Sequence, residues 1–141
     1  MEGCRPQELH SETTGLVDLV VSSDEETLAA TRRFLSYLPS HHNEAPPVAP
    51  VPDGADKASE RIVDILPTDR AKVYDVRKIV DAFADPGSAF ELKPRFGKSA
   101  ITGLARLGGK TVGIIGNNPL HRGGALDADA CRKIVDFIVL C

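Results

Sequence analysis

The sequence predicts an α/β fold, and three observations carry that reading. Apolar residues recur at helical spacing in Leu28, Thr31, Leu35 and Leu38, and again in Val76, Ile79, Val80 and Phe83. A β-branched run, Leu16-Val17-Asp18-Leu19-Val20-Val21, has the length and composition of a buried strand. Two further strand-like stretches, 99–107 and 110–115, flank Gly108-Gly109, a pair that accepts positive φ and joins antiparallel strands.

In chain order, the run 16–21 is followed by Ser22-Ser23-Asp24, where Ser23 or Asp24 caps a helix whose first turn carries Glu25 and Glu26. That helix ends at Pro39. Residues 40–57 contain Pro46, Pro47, Pro50, Pro52 and Asp53-Gly54, with Val48 and Val51 almost the sole apolar side chains, so the stretch reads as an extended, mobile linker. Ile62, Ile65 and Leu66 make one helical turn before Pro67, and 67–71 is loop. Asp75 caps the next helix, which Asp85-Pro86-Gly87 stops; 89–92 is a short strand. After the hairpin comes an irregular stretch, 116–125, then a helix from Asp127 whose apolar side holds Ile134, Val135, Phe137 and Ile138. The sequence closes on Phe137-Ile138-Val139-Leu140-Cys141 without a capping glycine or polar tail, which leads us to expect a truncated segment.

Composition narrows the function classes. Hydrophobic residues at 42% and charged residues at 26% are globular values, so a packed unit is expected. A formal charge of −3, 5% aromatics and no Trp give neither a basic footprint nor stacking platforms, so no nucleic-acid partner is expected. No stretch approaches the ~20 apolar residues of a membrane span, and the first ten residues lack the pattern of a secretory signal. Three widely spaced cysteines, Cys4, Cys131 and Cys141, suit neither a disulfide framework nor a zinc site, and point to a reduced, cytoplasmic setting.

Local motifs exclude several chemistries. Gly97-Lys98-Ser99 resembles the tail of a phosphate-binding loop, but the position five before Gly97 is Leu92 and the loop cannot close. His41 and His42 sit in the Pro-rich stretch with Glu44 as the one nearby carboxylate, and His10 and His121 stand apart, so no metal set converges. There is no nucleophile elbow, and Cys131 falls inside a helix with Arg132 and Lys133 beside it rather than on an exposed turn. The stretch 116–125 combines backbone freedom at Gly116, Gly123 and Gly124 with the amides of Asn117 and Asn118. Locally those residue types are first of all what an ordinary strand-to-helix connection requires, and a binding loop is the second reading.

A family resemblance covers essentially the whole chain. Tyr74-Asp75-Val76-Arg77-Lys78, then Gly87-Ser88 and Phe90-Glu91, resemble the opening of the second half of acyl-CoA carboxylase carboxyltransferase (beta) subunits. The run from Thr102-Gly103-Leu104-Ala105-Arg106 through Gly108-Gly109-Lys110 to Gly116-Asn117-Asn118-Pro119 resembles their hairpin. Gly124-Ala125-Leu126-Asp127 with Ala130, Lys133, Phe137, Leu140 and Cys141 resembles their next helix. Upstream, His10 to Asp18 and Arg33-Phe34-Leu35-Ser36-Tyr37-Leu38-Pro39 are similar to the end of the first half, and 40–57 is the weakest part of the likeness.

The resemblance implies a crotonase-like α/β fold of ββα units, incomplete here and spanning the junction of two halves. It places the end of the N-terminal half in 1–39, a Pro-rich linker in 40–72 and the start of the C-terminal half in 73–141. The implied chemistry moves a carboxyl group from carboxybiotin, held on a separate carrier protein, to a short acyl-CoA, with propionyl-CoA favoured. Implied partners are acyl-CoA, a biotin carboxylase or biotin carrier subunit, and further beta subunits in a homo-oligomer. The family's oxyanion-binding glycine turns match no position here, so no catalytic residue is assigned and this segment is expected to be inactive alone. Gly116, Asn117, Asn118 and Pro119 match a motif at a strand end near the pocket and are expected at a substrate or biotin rim. The other reading is a non-catalytic module that binds a carboxylase subunit or another partner through exposed apolar surface.

Overall fold

The computed structural model describes residues 6–53, 58–69 and 72–141. A short helix α1 (Pro6–Glu8) runs into a π-helical turn over Leu9–Thr13 and is followed by α2 (Asp24–Leu35), α3 (Ala58–Ile65) and α4 (Val76–Phe83). Strands β1 (Phe90–Leu92), β2 (Ala100–Leu107) and β3 (Lys110–Asn117) precede α5 (Ala128–Leu140). Cys4, Gly54, Lys57 and Ala71 lie outside the described residues.

Capping fixes where the helices begin. The Ser23 hydroxyl accepts from the Glu26 amide at 3.2 Å, while the Glu26 carboxylate accepts from the Ser22 amide at 2.7 Å. Asp75 accepts from the Arg77 amide at 3.0 Å, and Asp127 from the Ala130 amide at 2.9 Å. All three starts agree with the sequence. The run 16–21 does not form the strand expected of it. Its composition suits a strand, but no described strand lies alongside it to complete a ladder. It holds instead to isolated bonds, Val17 N–H to His10 O and Lys93 N–H to Asp18 O, and leaves Leu16 largely exposed.

The sheet is antiparallel in the order β1-β2-β3. Gly108 and Gly109 turn the hairpin with φ of 57° and 78°. Their amides are anchored by the buried Asp85 carboxylate, which accepts from Gly108 N at 2.9 Å and Gly109 N at 2.7 Å. The Pro-rich stretch touches the same turn: Ala49 N–H donates to Gly109 O at 2.9 Å. Among residues 46–52 four prolines have no N–H, so Ala49 is one of the few donors this strap retains.

The core is built from both sides of the strap. Tyr37 is buried with Phe90, Leu92, Leu104 and Phe137, and Leu19, Phe34 and Leu38 pack around them. The Tyr37 hydroxyl donates to Ser88 O, and Arg33 donates to Gly87 O (2.8 Å) and Ala89 O (2.6 Å), so the end of α2 is fastened to the lead-in to β1. From the other face α5 turns Ala130, Lys133 and Phe137 towards the sheet. The expected apolar side is therefore divided: Phe137 points in, while Val135, Ile138 and Val139 face outward.

Candidate functional site

The candidate residues lie where the hairpin runs out. Gly116 and Asn117 belong to β3 rather than to the irregular stretch expected from the sequence. Asn117 is paired with Ala100, and Asn118 N–H continues the ladder by donating to Ser99 O at 2.8 Å. Backbone pairing outweighs the turn preference of the two asparagines. From Asn118 the chain turns: its Oδ1 accepts from Leu120 N at 3.3 Å, His121 N–H donates to Asn118 O, and a 3-10 turn follows over Arg122–Gly124. Arg122 has φ of 51° and pairs with Asp127 at 3.2 Å.

The four candidates differ in what they offer. A Cβ at Gly116 would meet nothing closer than 3.5 Å, so no close approach demands glycine there. Gly124 does require it: φ is 82°, and a Cβ would sit 2.8 Å from Asn117 Nδ2. Asn117 is exposed, Pro119 half-buried and Asn118 fully buried. Asn118 Nδ2 and Ser99 Oγ are both buried without a hydrogen-bond partner among the described residues. Two buried polar groups without a protein partner among these residues therefore sit beneath the strand end. Ser99 was not singled out as a site residue, and only the register of the hairpin brings it to Asn118.

Beneath this strand end lies a buried charge. Lys133 is fully enclosed; its Nζ donates to Ala100 O at 2.9 Å and stands 3.9 Å from Glu91. Burial pushes its ammonium down to about 8, opposed by Glu91 and reinforced by Arg77 and Lys93. Glu91 is shared with Arg77, which grips it through Nε at 2.6 Å and Nη2 at 2.8 Å. That hydrogen bonding, against the opposing effect of burial, holds the Arg77 guanidinium above its ordinary range. Lys93, a non-glycine residue at φ of 53°, pairs with Asp136 at 2.6 Å.

Two cavities adjoin this polar frame. One of about 210 Å³ is lined by Arg77, Asp81, Glu91, Ile101 and Thr102, and one of about 250 Å³ by Lys93, Thr102, Lys133, Asp136 and Phe137. Residues 116–119 line neither. Among the described residues no group of His, Cys, Asp and Glu is placed to hold a metal ion, and no helix is long and apolar enough to cross a membrane. The cluster offers fixed amide and hydroxyl groups, with charge held one layer below.

Comparison with known proteins places this geometry. The carboxyl transferase domain family matches residues 3–141. The propionyl-CoA carboxylase beta chain of Roseobacter denitrificans is 35% identical over 132 residues, 94% of this chain and 26% of the relative. A putative propionyl-CoA carboxylase beta chain of Bacillus subtilis is 37% identical over 133 residues, 94% of this chain and 25% of the relative. The chain thus spans about a quarter of the length of these curated relatives. Among solved structures, the transcarboxylase 12S core with methylmalonyl-coenzyme A and methylmalonic acid bound superposes with a TM-score of 0.87 at 30% identity, over 94% of this chain and 26% of that one. A single-chain, multi-domain long-chain acyl-CoA carboxylase gives 0.75 at 31% identity, over 99% of this chain and 14% of that one. The three-stranded α/β unit is accordingly a partial crotonase-like fold, and the chain belongs to the carboxyl transferase domain family.

Proposed function

We propose that this chain is a section of the carboxyltransferase (beta) subunit of a biotin-dependent acyl-CoA carboxylase, joining the end of one crotonase-like half (1–39) through a linker (40–72) to the start of the next (73–141). The observation that carries the proposal is the family match across residues 3–141 combined with a TM-score of 0.87 to a transcarboxylase core. The whole subunit would transfer a carboxyl group to a short acyl-CoA, with propionyl-CoA favoured by the names of the relatives. Biotin, on a separate carrier, supplies the activated carboxyl. Within this chain Asn117 presents an exposed amide and Pro119 a half-buried apolar ring, a donor and a flat contact of the kind a ureido ring accepts. Gly116 and Asn118 hold that edge in place, and Lys133 fixes Ala100 opposite Asn117.

The test is a graft. The 132 matched residues of the Roseobacter beta chain are replaced by this sequence, and carboxylation of propionyl-CoA is assayed with the biotin carboxylase and carrier components. Retained turnover is expected, with Asn117→Ala raising KM for carboxybiotin more than it lowers kcat. A folded, assembled graft without turnover would count against the assignment. The isolated chain is expected to show no turnover with the same components.

A further inference from the structure

We propose that Arg33 and Arg106 form a binding site for a phosphate group beneath the Pro-rich strap. The two guanidiniums come from different elements, α2 and β2, and both line a cavity of about 160 Å³ roofed by Ala49, Pro50 and Pro52. Each is held from below by an aromatic face: Arg33 lies 5.3 Å from the Phe90 ring centre, and Arg106 lies 4.6 Å from that of Tyr37. Backbone and hydroxyl acceptors use one nitrogen of each fork. Arg33 Nη2 goes to Gly87 O and Ala89 O, and Arg106 Nη2 to Ser36 O (2.9 Å) and Ser36 Oγ (3.3 Å).

What remains is unusual for two neighbouring arginines. Among the described residues no carboxylate lies within ion-pair distance of either one. Arg106 Nε is buried with no partner. The one acid lining the cavity, Asp85, has its two oxygens committed to the amides of Gly108 and Gly109. Two guanidiniums against one carboxylate leave the cavity with a net charge of +1. An anion is therefore favoured there, and two guanidiniums from separate elements lining one cavity suit a ligand that offers several oxygens. A carboxylate has only two oxygens in one plane, whereas a phosphate presents oxygens tetrahedrally to both forks.

The site is tested on the full 141-residue chain, labelled with ¹⁵N and kept at constant ionic strength. Inorganic phosphate is expected to shift the Arg106 Nε–H resonance saturably. Arg33→Gln, which changes an exposed side chain, is expected to weaken binding at least about tenfold, as loss of charged hydrogen bonds requires. Arg106→Lys, which keeps the charge but loses the fork, should also weaken it. Coenzyme A then separates the sources of the phosphate group. Displacement of bound phosphate assigns the site to a phosphate ester, and phosphate binding that coenzyme A leaves intact assigns it to the free anion. Absence of a saturable shift at millimolar phosphate, or binding of equal strength in wild type and both variants, overturns the proposal.

Discussion

Buried polar residues hold the candidate site together, and Lys133 shows this most clearly. Its folded pKa of about 8 lies below its ordinary 10.5, so between those values the unfolded chain binds the additional proton and stability rises with pH. The rise attributable to Lys133 is roughly 3 kcal/mol at most. Comparing wild type with Lys133→Met by urea unfolding from pH 7 to 10.5 isolates it, because the Cys141 thiol, pushed up by burial, is common to both proteins. We expect a positive slope in the difference; parallel curves would contradict it. Asp85→Asn, which leaves one turn amide unpaired, is expected to cost about 1.5 to 3 kcal/mol in the same assay. The caps Ser23, Asp75 and Asp127 were legible because a single residue type before a periodic run specifies them. Lys133 was not read as buried, since lysine usually belongs to the solvent. A signal was nevertheless present: it lies three residues after Ala130 and four before Phe137, on the face that α5 buries.

At the scale of elements, the hairpin was the clearest feature of the sequence and is the scaffold for everything else. Its two turn glycines make different demands. A Cβ at Gly108 would meet nothing within 4 Å, whereas at Gly109 it would sit 2.1 Å from Ala49 O. Gly108→Ala is therefore expected to cost only the left-handed strain, about 1 kcal/mol. Gly109→Ala should cost more and free the Ala49 amide, seen as faster hydrogen exchange at Ala49 in that variant alone. Equal exchange in both variants would argue that the strap is not held by this contact. The stretch 16–21 marks the limit of local reading: it has strand composition, but a strand exists through its neighbour, and six residues cannot supply one. The same limit hid the partnership of Ser99 with Asn118, which depends on hairpin register.

For the whole molecule, the resemblance gave family and fold, while local patterning could not foresee how the segments before and after the strap share a core. Tyr37 lies on one side; Phe90, Leu92, Leu104 and Phe137 lie on the other. On the opposite face of α5, Val135, Ile138 and Val139 remain exposed. An apolar patch of that kind is expected to bind a hydrophobic dye and to promote self-association at micromolar concentration, and Val139→Lys should reduce both. The shared core is the central structural claim. Native-state hydrogen exchange across a urea series tests it most directly, following the amides of 28–35 in α2 and of 101–106 in β2. A single core predicts that both sets open in one cooperative step with the same free energy and urea dependence, and that Tyr37→Ala lowers both together. Opening of α2 at distinctly lower urea, with the hairpin unaffected by Tyr37→Ala, would contradict it.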